Sequence, residues 1–310
     1  MDDKYEIMHL LQVKQNLTKE LNNLVYGSIE IRENSSNRYI YVHYREDGIL
    51  LTKYVGEYSD ELHNLILNNT IKAKELKKEI KKIEKQLKKL NHIDEELSPE
   101  IKKNIDFAKR HLVDNIYNQA ILEGVATTFE DTENIIKGGK INNMSSEDVL
   151  KIVNLKHAWE FILNKNVILS DTNFPLLCEI NKFVEEGFYY NAGKLRSVPV
   201  SIGGTKWTPE LPIESIIKED IQNIFNMEIN DIDKAIKLLL YVMKKQIFID
   251  GNKRTSIIFA NHYLISKGQG IIAIPANLTN EYKKLLIDYY EGKDSTEIKR
   301  FLKEKCFIQI

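Results

Sequence analysis

The run from Leu62 to Leu90 constrains this chain more than any other stretch. Its Leu62, Ile66, Asn69, Ala73, Leu76, Ile80, Ile83, Leu87 and Leu90 are separated by alternating steps of four and three. A helix brings all of them to one narrow stripe, and such a stripe needs a second helix to cover it. A partner seam lies upstream, in Ile7, Leu10, Lys14, Leu17, Leu21 and Leu24. Between the seams, "NRYIYVHYRE" alternates its side chains in strand fashion, "DG" at Asp47–Gly48 supplies a turn, and "ILLTKYVGEY" returns. Residues 5–91 therefore read as helix, β-hairpin, helix, folded back into an antiparallel coiled coil.

Residues 72–89 carry nine lysines against three glutamates, and the hairpin adds Arg38, Arg45 and Lys53 beside Tyr39, Tyr41, Tyr44 and Tyr54. Basic and aromatic groups interleaved on a sheet suit a nucleic-acid or protein partner. The same pattern also describes the solvated face of a coiled coil with tyrosines packing the hairpin onto its helices. Both readings stand at this stage. With a formal net charge of −1 over the whole chain, any basic surface is local. The segment also resembles a small bacterial helix–hairpin–helix module.

Charged residues at 29% and apolar ones at 43% are ordinary for a soluble globular chain. Cys178 and Cys306 lack metal-site or disulfide spacing. The acidic start "MDDKYEIMHLLQ" has no apolar leader region, and "LLLYVM" is far too short to span a bilayer. The expectation is a cytoplasmic protein without membrane contact. "NHIDEELSPE", with Pro99, breaks the helical pattern and divides the chain into residues 1–95 and 96–310. Helical periods then recur at 100–123, 146–163, 172–186, 214–226, 231–245, 252–267, 280–290 and 295–304. Within 195–212, "LRSVPVSIGGTKWTPELP", β-branched residues around a Gly-Gly pair predict a short hairpin or flap. The fold class is mainly α.

The chemistry concentrates in "KKQIFIDGNKRTS", residues 244–256. Asp250 suits a hard cation such as Mg²⁺, which favours one or two carboxylates plus phosphate oxygens. Gly251 lets the backbone approach a ligand closely. Asn252, Lys253 and Arg254 open a helix whose exposed N–H groups and positive dipole end face the same point. The set predicts an anion site, with Phe248 anchoring the loop. A loop whose polar groups only cap a helix is the plainer alternative. It explains Thr255 or Ser256 but does not require Asp-Gly-Asn-Lys-Arg together.

"QIFIDGNKR" resembles the signature of the Fic/Doc (Fido) family, His-x-Phe-x-(Asp/Glu)-Gly-Asn-(Gly/Lys)-Arg. Phe248, Asp250, Gly251, Asn252, Lys253 and Arg254 match, and Gln246 stands where the family has histidine. "NAGKLRSVPVSIGG" resembles the family's substrate-positioning flap, with Val200, Ser201, Ile202 and Gly203 at its centre. "AILEGVATT" resembles the inhibitory helix motif, with Glu123 and Gly124 matching in a helix around residues 110–125. The resemblance covers roughly residues 100–300. It implies a helical core with a β-hairpin flap, and ATP with Mg²⁺ as cofactors. It also implies transfer of AMP to a Ser, Thr or Tyr hydroxyl of a target protein. Asp250 would hold the metal, Gly251–Arg254 the phosphates, and residues 200–203 the target backbone.

Four positions depart from the family pattern. Gln246 has no accessible pKa near 7, so it cannot replace a general base worth ~10²–10⁴-fold. Lys253 matches the Doc-like branch, whose members phosphorylate a target. Ile257 occupies the place of a second arginine with which Glu123 would pair. Gln119 occupies the Ser/Thr place of the inhibitory motif. Three functions follow as expectations: a transferase acting on protein hydroxyls, a non-catalytic nucleotide-binding regulator or toxin–antitoxin component, and a nucleic-acid or protein binder acting through the N-terminal module. Homo-oligomers are compatible with each. His157 and Trp159 read as packed helix residues. "GQGIIAIP" reads as a turn into a short extended segment, and Trp207 as a cover or contact residue of the flap.

Overall fold

The computed structural model describes residues 3–34, 37–46, 49–90, 96–139 and 144–310. The Asp47–Gly48 turn and residues 91–95 of the expected boundary lie outside the described residues. The chain separates into two compact units, Met1–Ile93 and Asp94–Ile310.

In the first unit, α1 (Asp3–Asn22) and α2 (Asp60–Lys89) flank a sheet of β1 (Ser28–Asn34), β2 (Asn37–Glu46) and β3 (Ile49–Glu57). The helices are antiparallel, as the ion pairs Lys14–Glu84 and Lys72–Glu20 require. Leu21, Ala73 and Leu76 form the seam between them, joined by Leu17, Leu24 and Ile80. On α1 the buried set also includes Met8 and Leu11, outside the predicted seam. The sheet has three antiparallel strands in the order β1-β2-β3, where the sequence predicted a two-stranded hairpin. The added strand is "SIEIREN", whose short alternation of Ile29 and Ile31 with charged residues is a strand pattern. Ile40 and Val42 point to one face and pack on Ile66 of α2, with Val25, Ile29, Val55 and Leu62 around them. Tyr39, Tyr41 and Tyr54 are on the opposite face, whereas Tyr58 packs against this cluster. Tyr54 contacts both Tyr39 and Tyr41, at 6.2 and 5.4 Å between ring centroids.

The second unit is helical. Its elements are α3 (Pro99–Arg110), α4 (Leu112–Leu122), α5 (Phe129–Lys137), α6 (Ser146–Ile162), α7 (Lys165–Ile168), α8 (Phe174–Val184), α9 (Glu214–Asn226), α10 (Asp231–Lys245), α11 (Asn252–Ser266), α12 (Thr279–Tyr290) and α13 (Thr296–Phe301). A two-stranded ladder pairs β4 (Ile271–Ile272) with β5 (Phe307–Ile308). The single helix expected over 100–123 is divided at His111, without the proline or glycine that would have signalled it. Helices α5 and α7 were not anticipated.

α11 is the axis of this unit. Nearly all of its residues are buried, from Asn252 to Ile265, among α10, α8, α6 and α3. Its polar members past the first turns are satisfied internally. The Asn261 amide donates to the carbonyls of Ile257 and Ile272 and accepts from the Ile272 N–H. His262 contacts Thr172 Oγ1 and the Val167 carbonyl. A helix buried all round keeps its N-terminal turn in one place, and that turn begins the candidate site.

Among the described residues, no helix is long and apolar enough to cross a membrane.

Candidate anion and nucleotide site

Helix α10 stops at Gln246, which adopts the left-handed conformation at φ 47°, ψ 62°. Among the described residues it is the one non-glycine with positive φ. Such a cap turns the chain sharply and costs a side-chain-bearing residue about 1–2 kcal/mol. Besides the capping bond from its N–H to the Val242 carbonyl, three hydrogen bonds hold it. Its Nε2 donates to the Met243 carbonyl at 2.6 Å, its Oε1 accepts from Asn252 Nδ2 at 3.2 Å, and its carbonyl accepts from Arg196 Nε at 2.6 Å. The amide is therefore engaged on both ends.

The loop then crosses to α11. Phe248 is fully buried, as its anchoring role predicts. Asn252 ties the loop closed: its Oδ1 accepts from the Phe248 N–H, and its Nδ2 donates to the Phe248 carbonyl. Asn181 on α8 braces the loop from below by donating to the Asp250 carbonyl and to Thr255 Oγ1. Gly251 caps α11 at φ 73°. A Cβ there would lie 2.3 Å from Glu185 Oε1 and 3.0 Å from Val184 Cγ1. Glycine is required on both counts.

Arg254 lies beneath the loop with its side chain 3% exposed. Its Nη2 is 2.8 Å from Glu185 Oε1 and 3.7 Å from Asp250 Oδ1, while its Nε is 3.7 Å from Glu123 Oε2. Lys253 Nζ lies 3.6 Å from Glu123 Oε1. Three carboxylates thus face two cations. Even so, Nε and Nη1 of Arg254 are buried without a hydrogen-bond partner among the described residues, as are Glu123 Oε1 and Glu185 Oε1 beside them. Burial raises the Glu185 carboxyl to about 7; Arg254 opposes the shift, and Asp250 and Glu123 add to it. His262, the nearest histidine along the chain, lies away from the cleft lining. It is enclosed, and burial lowers its imidazole to about 4.

A cleft of about 400 Å³ opens over this turn. Gln246, Asp250, Asn252, Lys253 and Glu123 line one side, and the flap residues Val200, Ser201, Ile202 and Gly203 line another. The cleft therefore brings together most of the residues singled out in the sequence. Arg254 lies beneath it, and Gly124 follows Glu123 at the end of α4. The flap carries no strand ladder among the described residues. Instead it doubles back around a turn at Gly203–Gly204, and Arg196 closes its base by donating to the carbonyls of Val198, Pro209 and Glu210. One buried guanidinium does the work expected of paired strands. Trp207 covers the flap's inner side, stacked on Tyr290 at 5.8 Å.

Ile257 is buried and shares a narrow recess with Asn118, Leu122 and Trp159, so Glu123 pairs with Lys253 and Arg254 instead. Gln119, at the other departure from the motif, accepts from Trp159 Nε1. His157 is partly exposed, with Nδ1 4.0 Å from Glu186 Oε2 and away from the cleft lining. The sequence reading missed the far wall, which α12 supplies as Lys283, Leu286, Ile287 and Tyr290. It also missed Glu185, Asn181 and Arg196.

Among the described residues no cluster of three or more His, Cys, Asp or Glu side chains could hold a metal by itself. Asp250 is half exposed in the cleft, with Oδ1 accepting the Gly251 N–H. A lone carboxylate of this kind fits Mg²⁺ only when phosphate oxygens complete the shell.

Residues 171–264 match the sequence model of the Fic/DOC family. No curated protein is similar enough to count as a match. Among solved structures, the chain is similar to a Fic-domain-containing signaling protein from Bacteroides thetaiotaomicron. That pair is 19% identical, covers 66% of this chain and 81% of the other, and has a TM-score of 0.51. It is also similar to Fic-1 from C. elegans, at 17% identity over 78% of this chain and 79% of the other, with a TM-score of 0.52. A Fic family protein from Desulfovibrio desulfuricans gives 14%, 67%, 72% and 0.52 in the same order. Identities this low establish the fold alone. Residues 171–264 are thus similar to the Fic/DOC family, and the helical unit around them has the Fic fold.

Proposed function

We propose that the second unit binds a magnesium nucleotide, with ATP the expected ligand, through the N-terminal turn of α11. Members of the Fic family carry out AMPylation or related nucleotide transfer. The observation that carries the proposal is Arg254, a buried cation with two N–H donors unmet beneath an open cleft. Buried donors of a charged group are expensive to leave unpaired, so a site that keeps them expects an anion. Lys253 and the backbone N–H groups at the start of α11 add to the same field. Mg²⁺ held by Asp250 and the ligand's own phosphates would neutralise part of the phosphate charge.

In this reading Glu123 is a regulatory carboxylate. It occupies the approach to Lys253 and Arg254, so an entering phosphate must displace it. A target protein presenting a Ser, Thr or Tyr hydroxyl would lie along Val200–Gly203 and reach the phosphates past Gln246. Gln246 accepts no proton, and its amide is already committed to Met243 and Asn252. Transfer is therefore slow or absent, while binding is retained. Incubation with α- and γ-labelled ATP separates the outcomes. Protein label from the α-position means AMP transfer, and label from the γ-position alone means a kinase, the reaction that Lys253 favours. Binding without either label means a nucleotide-binding regulator. Failure to bind ATP with Mg²⁺ at all refutes the proposal.

A further inference from the structure

We propose that the N-terminal unit binds nucleic acid through its backbone phosphates, along the outward face of α2. Eight lysines lie between residues 74 and 89. At 3.6 residues per turn they fall within an arc of about 140°, centred nearly opposite the buried seam. Glu75, Glu79 and Glu84 fall on the flanks of that arc, not inside it.

The partners of the unit's cations locate the surface. Arg32 pairs with Glu30 and lies over Tyr41, and Arg38 lies over Tyr58. The tyrosines of the sheet meet each other, with Tyr54 between Tyr39 and Tyr41. Arg32, Arg38 and the tyrosines at 39, 41, 54 and 58 are thus engaged within the sheet and its edges. On α2, Lys77 lies over Tyr26, and Lys82 is 4.0 Å from Glu79. Lys74, Lys78, Lys81, Lys85 and Lys88 are exposed and form no ion pair among the described residues. These five make a straight stripe with one charge per about 5 Å.

Lysines three and four apart repel, so this face destabilises its own helix. Among the described residues, nothing in the unit's packing uses the five-lysine stripe. A polyanion of regular spacing relieves that repulsion and gains from counterion release. Nucleic acid fits better than the other anionic surfaces. Between residues 74 and 89 the arc has no large apolar side chain to enter a bilayer and no aromatic anchor to form the centre of a protein interface; the exposed Leu67 and Ile71 lie on the same face in the turns just before it. Lysine ammonium groups act as point charges, so they read phosphates and not base sequence.

The test is fluorescence anisotropy of the full chain with short labelled duplexes of two unrelated sequences, and with single strands. Binding is expected in the ~10⁻⁴–10⁻⁶ M range at physiological salt and to be indifferent to sequence. Replacing Lys78, Lys81, Lys85 and Lys88 by Gln should lower the slope of log affinity against log salt by about 0.9 per lysine on duplex. Helical content should be unchanged by circular dichroism, because the replaced groups face outward and Gln is a comparable helix former. Arg32→Ala with Arg38→Ala should leave the slope as it is. An unchanged slope in the lysine variant, a reduced slope in the arginine variant, or tighter binding to anionic vesicles than to duplex would each overturn the assignment. No binding at about 50 mM salt would overturn it as well.

Discussion

Replacing Gly251 by alanine tests how firmly the anion loop is built. Two penalties arise at once. The left-handed φ of 73° costs an L-residue about 1–2 kcal/mol. The new methyl would also lie 2.3 Å from Glu185 Oε1, over an ångström inside normal contact, with Val184 Cγ1 at 3.0 Å on its other side. The carboxylate must then retreat from Arg254, now 2.8 Å away. Breaking a buried ion pair by losing one partner costs about 3–5 kcal/mol, and a retreat forfeits part of that. The expected loss is roughly 3 kcal/mol, or roughly 6–12 °C in Tm for a unit of this size. Gly138→Ala supplies the control, since Gly138 has φ 76° and open space around its Cβ position. It should lose only about 1–2 kcal/mol. Thermal and urea unfolding of both variants measure the difference. Equal losses would mean that Glu185 yields freely and that the loop is not wedged against it.

Further expectations follow from the same residues. Glu123→Ala removes the carboxylate facing Lys253 and Arg254, so Mg-ATP affinity should rise by a factor on the order of 5–150, read by calorimetry. Equal affinity would remove Glu123 as a competitor. The folded-state pKa of Glu185, about 7, lies above its ordinary 4.5. Stability should therefore be greatest below about pH 4.5 as far as this group is concerned, and should fall as pH rises through 7, by up to about 3 kcal/mol. Glu185→Gln should flatten that fall in unfolding curves taken across the range. Gln246→His with Lys253→Gly should raise transfer of α-label by a factor on the order of 10² over either single change, because a base of pKa about 6.5 then faces an emptier cleft. Wild-type transfer equal to that of the double variant would show that another group carries the proton.

What the sequence made legible was local and periodic. The seam of α2 appears at Ile66, Ala73, Leu76, Ile83 and Leu87, as the alternation of threes and fours predicts. The turn at Asp250–Arg254 was legible because few other arrangements need that sequence of residue types. The α12 wall was not, because Leu286 and Ile287 have the same amphipathic spacing as any packed helix and their cleft is assembled from distant segments. Glu185 reads as an ordinary acidic residue at a helix end, and only the fold places its carboxylate against Arg254 and Gly251. The flap's β-branched residues suggested strands, whereas a single arginine in "LRSV" supplies the closure through backbone carbonyls. Strand β1 was missed because its alternation covers few residues and ends in polar ones.

The central claim is that the α11 turn binds a magnesium nucleotide. The most direct measurement is calorimetric titration of Mg-ATP into the wild type, Lys253→Ala, Asp250→Ala and Arg254→Ala. Lys253 and Asp250 are partly exposed, so their variants report on binding without a large loss of fold. Losing one charge-assisted contact should weaken affinity by about 1.5–3 kcal/mol, or roughly 10- to 150-fold, with Arg254→Ala at the upper end. Wild-type affinity in all three variants, or no heat of binding in the wild type, would contradict the account.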